Sequence, residues 1–196
     1  MPDQRLRSGD VLLERAPAPN GPMLTFIGHV RSAHADTATA PKNPAKARER
    51  GDAATLVIDP PYRPGLVGLA AYSHVIVLGW LHQARRDVIQ ITRPALSAPS
   101  VAQSQPARAP SVAQSQPARA PSVAQSQPAP APKGVFALRS PVRPNPISVS
   151  VARILSVDIA TGEVVIDAID LLDGTPIVDV KPYRPGIDAV PDAVVP

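Results

Sequence analysis

The chain has 196 residues, 44% of them hydrophobic but only 3% aromatic, so any core must be built from aliphatic side chains. Twenty Lys and Arg against sixteen Asp and Glu leave a net charge of +4, compatible with a polyanionic partner but too small to require one. With no cysteine, disulfides, thiolate zinc sites and thiol catalysis are excluded.

Residues 1–22 mix charges and prolines around one short apolar run, Val11, Leu12 and Leu13, and read as a flexible tail before a domain spanning 23–196. That run is far short of a secretory leader, and nothing reaches membrane-spanning length, so no membrane partner is expected and a cytoplasmic address follows by default. Residues 23–31, 55–59 and 75–81 are rich in β-branched or aliphatic side chains between turn formers, and predict strands. Between the first two, 32–52 reads as a polar loop. It holds Pro41, Lys42 and Asn43 together with Lys46, Arg48 and Arg50, either plain surface or a reach toward phosphate. Short helices are expected at 66–72 and 83–90.

APSVAQSQPAR occurs at 98–108 and 109–119, and again at 120–130 with Pro replacing the final Arg. Proline in every copy blocks a continuous helix, and one Val per copy cannot offset the entropy of ordering. Residues 96–133 are therefore read as a disordered insertion rich in Pro, Ala, Ser and Gln. Beyond it, strands are expected at 135–138, 147–157, 164–169 and 177–180. Within the second, Ile147, Val149, Val151 and Ile154 roughly alternate with Ser148, Ser150 and Arg153, as in a half-buried strand with its apolar side to the core. Each half offers too few short strands to close a sheet alone, so the halves must fold together. The expected fold is all-β with short helices, a single closed or nearly closed barrel interrupted by the insertion.

Three segments could carry chemistry. In GVFALRSPVRPNPISVSV at 134–151, Pro141, Pro144 and Pro146 stiffen a turn that holds Arg139, Arg143 and Asn145, either as a preorganised ligand or phosphate site or as a rigid structural turn. In DLLDGTPIVDVKPY at 170–183, Asp170 and Asp173 could jointly face a sulfonium or ammonium, or bond their own backbone. In SHVIVLGWLHQARRD at 73–87, His82 and Gln83 end a strand; His82 could donate a hydrogen bond, act as a base, or be an ordinary satisfied polar residue. Arg85, Arg86 and Asp87 read by default as a solvated charge cluster. No dinucleotide fingerprint, phosphate loop or zinc-ligand spacing occurs, so dinucleotide, nucleotide-triphosphate and metal chemistry are not expected.

Together with IGHVRS at 27–32 and PKN at 41–43, these strings occur in an order that resembles the TsaA-like (TrmO) family of tRNA methyltransferases, which act on N6-threonylcarbamoyladenosine beside the anticodon. The resemblance covers 24–193 apart from the insertion. It implies a β-barrel methyltransferase of non-Rossmann type that uses S-adenosylmethionine, takes tRNA as partner, needs no metal and is commonly a homodimer. It implies a cofactor pocket drawn from Pro41, Lys42, Asn43, His82, Gln83, Arg139, Val149, Asp170, Leu171, Leu172 and Asp173. Of these, Asp170 or Asp173 would orient the cofactor and His82 is the candidate base. Arg85, Arg86, Arg143 and Lys181 are candidates for RNA contact. Three departures stand out: Ser148 replaces the usual Gly after the Asn-Pro-Ile turn, the repeats are unusual, and the chain ends near Pro196 without the C-terminal domain of many bacterial members. The last leaves open a cofactor-binding regulatory module, or a methyltransferase with another substrate.

Overall fold

A computed structural model describes residues 6, 8–14, 21, 23–92 and 131–194. In chain order the elements are β1 (Val11–Leu12), β2 (Gly28–Arg31), α1 (Pro44–Arg50), β3 (Ala54–Ile58), β4 (His74–Trp80), β5 (Val88–Ile91), β6 (Lys133–Gly134), β7 (Ile147–Asp158), β8 (Glu163–Ile166), β9 (Pro176–Pro182) and α2 (Pro185–Asp188). Most of the expected insertion lies outside the described residues, as does much of the expected tail. Within those stretches Lys133 pairs with Ile91, and Val11 and Leu12 pair with β5, so each contains strand residues.

Six strands close into a barrel in the order β2-β3-β8-β7-β4-β9, every pair antiparallel. Since β3 pairs with β8, and β4 lies between β7 and β9, strands from both halves of the chain interleave and neither half closes by itself. The interior is aliphatic, as composition requires: Val30, Leu56, Val75, Val77, Ile166 and Ile177 are all fully buried. Each contributes about 1.5–3 kcal/mol by leaving water. A second, small sheet, β1-β5-β6, stands beside the barrel.

β3 and β4 alternate buried and half-buried positions as a half-buried strand should. The first half of β7 runs opposite to the expected pattern, while Ile154 packs against the core as expected. The inward positions of that half are Ser150, 3% exposed, and Ala152, whereas Ile147 and Val149 are 37% and 47% exposed. Other local expectations also change. Residues 135–138 form a 3-10 turn, Val135–Ala137, instead of a strand, and 66–72 is replaced by the 3-10 turns Pro60–Leu66 and Leu69–Ala71. The expected helix at 83–90 is a turn leading into β5.

The polar loop at 32–52 contains α1. Asn43 caps it, its side chain accepting from the Lys46 amide at 2.9 Å, Pro44 occupies the first turn, and Gly51 ends it with φ of 73°. Register then decides which loops share a barrel end. Thr55 lies opposite Arg31, Ala54 opposite Ile166, Trp80 opposite Ile147 and Gly79 opposite Ile177. Loops 32–53, 81–87, 135–146 and 167–175 therefore all leave from one end.

Candidate active site

At that end the four loops and the start of β7 enclose a cleft of about 590 Å³. Small-molecule sites run roughly 300–1,000 Å³. Loop 32–53 contributes Pro41, which is buried, and Lys42, which is exposed; the turn after β4 contributes His82 and Gln83. The proline-rich turn brings Phe136, Leu138, Arg139 and Arg143, β7 brings Val149 and Ser150, and the segment after β8 brings Asp170, Leu171 and Leu172.

The polar residues of β7, the proline-rich turn and the segment after β8 are held by identifiable contacts. Arg139 Nη2 donates to the Val149 carbonyl at 2.9 Å, tying the turn to β7. Arg143 Nη1 donates to the carbonyls of Val135 and Leu138 at 2.9 and 2.7 Å, so its guanidinium locks the 3-10 turn. Among the described residues lining the cleft Asp170 is the only carboxylate, and its Oδ1 accepts from the Ser150 hydroxyl at 3.0 Å. The Ser148 hydroxyl accepts from the Gly79 amide at 3.1 Å and donates to the Gly79 carbonyl at 3.2 Å. Gly79 sits where the β4–β9 register shifts, so this side chain satisfies backbone groups beside an irregularity in the ladder.

Of the residues expected to form a cofactor pocket, all but Asn43 and Asp173 line the cleft. Asn43 is the cap of α1, as above. Asp173 Oδ1 accepts from the Ser32 amide at 3.0 Å and its own amide donates to the His34 carbonyl at 2.8 Å, joining two loops from outside the lining. Both are turn chemistry, with backbone as the partner.

The candidates for RNA contact do not form one surface. Arg143 is in the cleft but engaged as described. Arg86 donates to the Pro144 carbonyl at 2.8 Å and lies over the Trp80 ring, 5.4 Å from its centroid. Arg85 forks onto Asp87 at 3.0 and 2.6 Å, which holds the Asp87 carboxyl below the ordinary carboxylate range. Lys181 belongs to the other end of the barrel, opposite Ile76, and its partner Asp179 at 2.7 Å raises its pKa. Ser150 and Phe136 were not among the expected site residues. A serine at an alternate position of an apolar strand is the signal for the first; nothing in composition marks the second.

Among the described residues no group of His, Cys, Asp or Glu is arranged to hold a metal ion, and no helix is long and apolar enough to cross a membrane.

Residues 29–189 match the profile of the tRNA-methyltransferase O N-terminal domain. Over 184 residues the chain is 29% identical to the probable S-adenosyl-L-methionine-binding protein VirR of Rhizobium radiobacter, covering 94% of this chain and 83% of VirR. It is 29% identical over 169 residues to the tRNA (adenine(37)-N6)-methyltransferase of Escherichia coli K12, covering 85% of this chain and 60% of that enzyme. A crystal structure of TrmO from Pseudomonas aeruginosa aligns with a TM-score of 0.58 at 30% identity, over 89% of this chain and 61% of that one. The chain thus spans about three fifths of these two methyltransferases and most of VirR. The barrel, the cleft-bearing loops and the match across 29–189 agree: this chain belongs to the tRNA-methyltransferase O N-terminal domain family.

Proposed function

We propose that this domain binds S-adenosylmethionine in the cleft and directs methylation of the exocyclic nitrogen of threonylcarbamoyladenosine in tRNA, next to the anticodon. The observation that carries this reading is the convergence of Lys42, His82, Arg139 and Asp170 on one cleft, in a family that includes a named tRNA adenine methyltransferase. The residues suit a ligand that combines a carboxylate, a positive centre and a flat, largely apolar ring. Lys42 and Arg139 supply cations, Asp170 supplies the carboxylate, and Leu138, Val149 and Leu172 supply aliphatic wall.

When bound, S-adenosylmethionine supplies an electrophilic methyl group on a sulfonium. Asp170, kept from rotating by Ser150, faces that positive charge. Lys42 and Arg139 take the ligand carboxylate. The acceptor nitrogen is acylated, with its lone pair delocalised, so it must lose a proton to react. His82, exposed beside Gln83 with 3.4 Å between their Nε2 atoms, takes it in this reading. The remaining acceleration comes from alignment of donor and acceptor in a partly dry cleft.

The same reading includes a cytoplasmic homodimer. Support for the dimer is the apolar surface that β7 exposes away from the cleft at Leu155; sedimentation of the full chain tests the dimer. VirR is named only for binding, which favours a second reading, a cofactor-binding module without transfer. Labelled S-adenosylmethionine incubated with the chain and tRNA, with and without the threonylcarbamoyl group, separates the two. Label in modified tRNA alone supports the enzyme; calorimetric binding with no label in either tRNA supports the module.

A further inference from the structure

Phe136 is 74% exposed at the edge of the cleft, although the adjoining Val135 is fully buried and anchors the turn that carries both. The Arg143 guanidinium lies over the Phe136 ring, 5.7 Å from its centroid, and is itself fixed by two carbonyls. Pro141, Pro144 and Pro146 stiffen the same stretch. The ring is thus backed on one side by an immobilised cation and left largely in solvent elsewhere. An aromatic surface ordered in advance loses little entropy on binding.

Charge around the ring narrows what could cover it. Lys42, Arg86 and Arg139 are exposed nearby on the loops of the same barrel end, while the one carboxylate of the cleft, Asp170, is half-buried inside. A flat aromatic surface amid exposed cations matches a splayed base with its flanking phosphates, since every base offers a π-face and every phosphate a negative charge. An apolar protein face would gain from the ring but not from the exposed cations of that barrel end, of which Arg86 stands outside the cleft lining. We propose that Phe136, backed by Arg143, is a stacking platform for an unpaired nucleobase of the RNA substrate, beside the base that enters the cleft. This rests on reading the cleft as an RNA-methylating site.

The test uses the full chain and two probes, a fluorescent oligoadenylate and its duplex with oligouridylate, read by anisotropy at fixed salt. Phe136→Ala should weaken single-strand binding roughly tenfold, and Phe136→Trp should restore it. Duplex binding, the thermal midpoint and the sedimentation coefficient should stay at wild-type values in both variants, and the S-adenosylmethionine affinity from calorimetry, which the ring can touch as part of the cleft lining, should move far less than single-strand binding does. Single-strand affinity unchanged in Phe136→Ala, or not measurable in the wild type, overturns the proposal. So does a parallel loss of S-adenosylmethionine binding, which would put the ring against the cofactor, or a smaller sedimenting species, which would put it against a second copy. Binding of S-adenosylmethionine by the wild type reports on the cleft itself, so failure of that reading shows separately.

Discussion

Arg48 Nε stands 2.8 Å from Asp167 Oδ2, and its Nη2 donates to the Val151 carbonyl at 2.8 Å, so one side chain on α1 reaches both β7 and the end of β8. Because α1 follows directly on Pro41, Lys42 and Asn43, this link fixes one wall of the cleft from behind. Arg48→Ala should cost about 1 kcal/mol, at the low end for a charged hydrogen bond because the guanidinium is half-exposed. S-adenosylmethionine affinity should fall with it, although Arg48 does not line the cleft; calorimetry beside a melting curve reads both.

The same pair sets an acid dependence. Burial alone would push the Asp167 carboxyl up, but the bond from Arg48 and the one from the Arg153 amide overcome it and hold the group below the ordinary carboxylate range. The stabilisation is therefore complete above the unfolded value, about pH 4, and is lost as pH falls through the lower folded value. Thermal midpoints of wild type and Asp167→Asn should differ by a constant amount above about pH 5 and converge as the pH falls below the ordinary carboxylate range.

A side chain at Gly79 fits only if the Ser148 and Leu171 side chains give way. A Cβ there would lie 2.8 Å from Ser148 Oγ and 2.9 Å from Leu171 Cδ1. Gly79→Ala should destabilise by about 1–3 kcal/mol, and adding Ser148→Gly should recover only part, because the Leu171 contact remains. Ser148→Ala alone should cost about 1–2 kcal/mol by stripping the buried Gly79 amide and carbonyl of a partner. Urea midpoints distinguish the three.

Asn43 offers a test between cap and ligand contact. Asn43→Ala should cost about 1 kcal/mol and weaken S-adenosylmethionine binding through loosening of α1. Asn43→Asp keeps a capping oxygen and should bind as the wild type does. Binding lost in both variants would mean that the amide itself meets the ligand.

Ser150→Ala leaves the Asp170 carboxylate without its donor and free to turn. S-adenosylmethionine affinity should drop roughly tenfold, in line with about 1.5 kcal/mol for a hydrogen bond to a charged group, and further in Asp170→Asn. Calorimetry on both variants checks the order. An unchanged affinity in Asp170→Asn would remove the carboxylate from the site.

The sequence makes the strands legible where side-chain alternation is strong, as in β4, where Val75 and Val77 point inward as their spacing requires. It misleads in β7, because hydroxyls can be buried when they find partners: Ser148 finds Gly79 and Ser150 finds Asp170, which frees Ile147 and Val149 to wall the cleft from the outer face. α1 had its signals in Asn43, Pro44 and Gly51. With Ala47 as its one buried side chain, though, it shows no apolar period against which to read them. The segments that build the cleft were visible as polar, proline-stiffened turns. Whether a polar side chain in them faces ligand or backbone was not, because Asn43 and Asp173 differ from Lys42 and Asp170 only in where the backbone aims them.

Ile91 and Lys133 are partners across β5 and β6, so whatever chain connects them starts and finishes one strand spacing apart. The entropy of closing such a connection grows only with the logarithm of its length, about 0.6 kcal/mol per doubling. Gain or loss of whole eleven-residue units through tandem changes in the coding DNA is then nearly neutral for the barrel. Among close kin of this chain, copy number should drift freely while the residues on either side of the junction stay put.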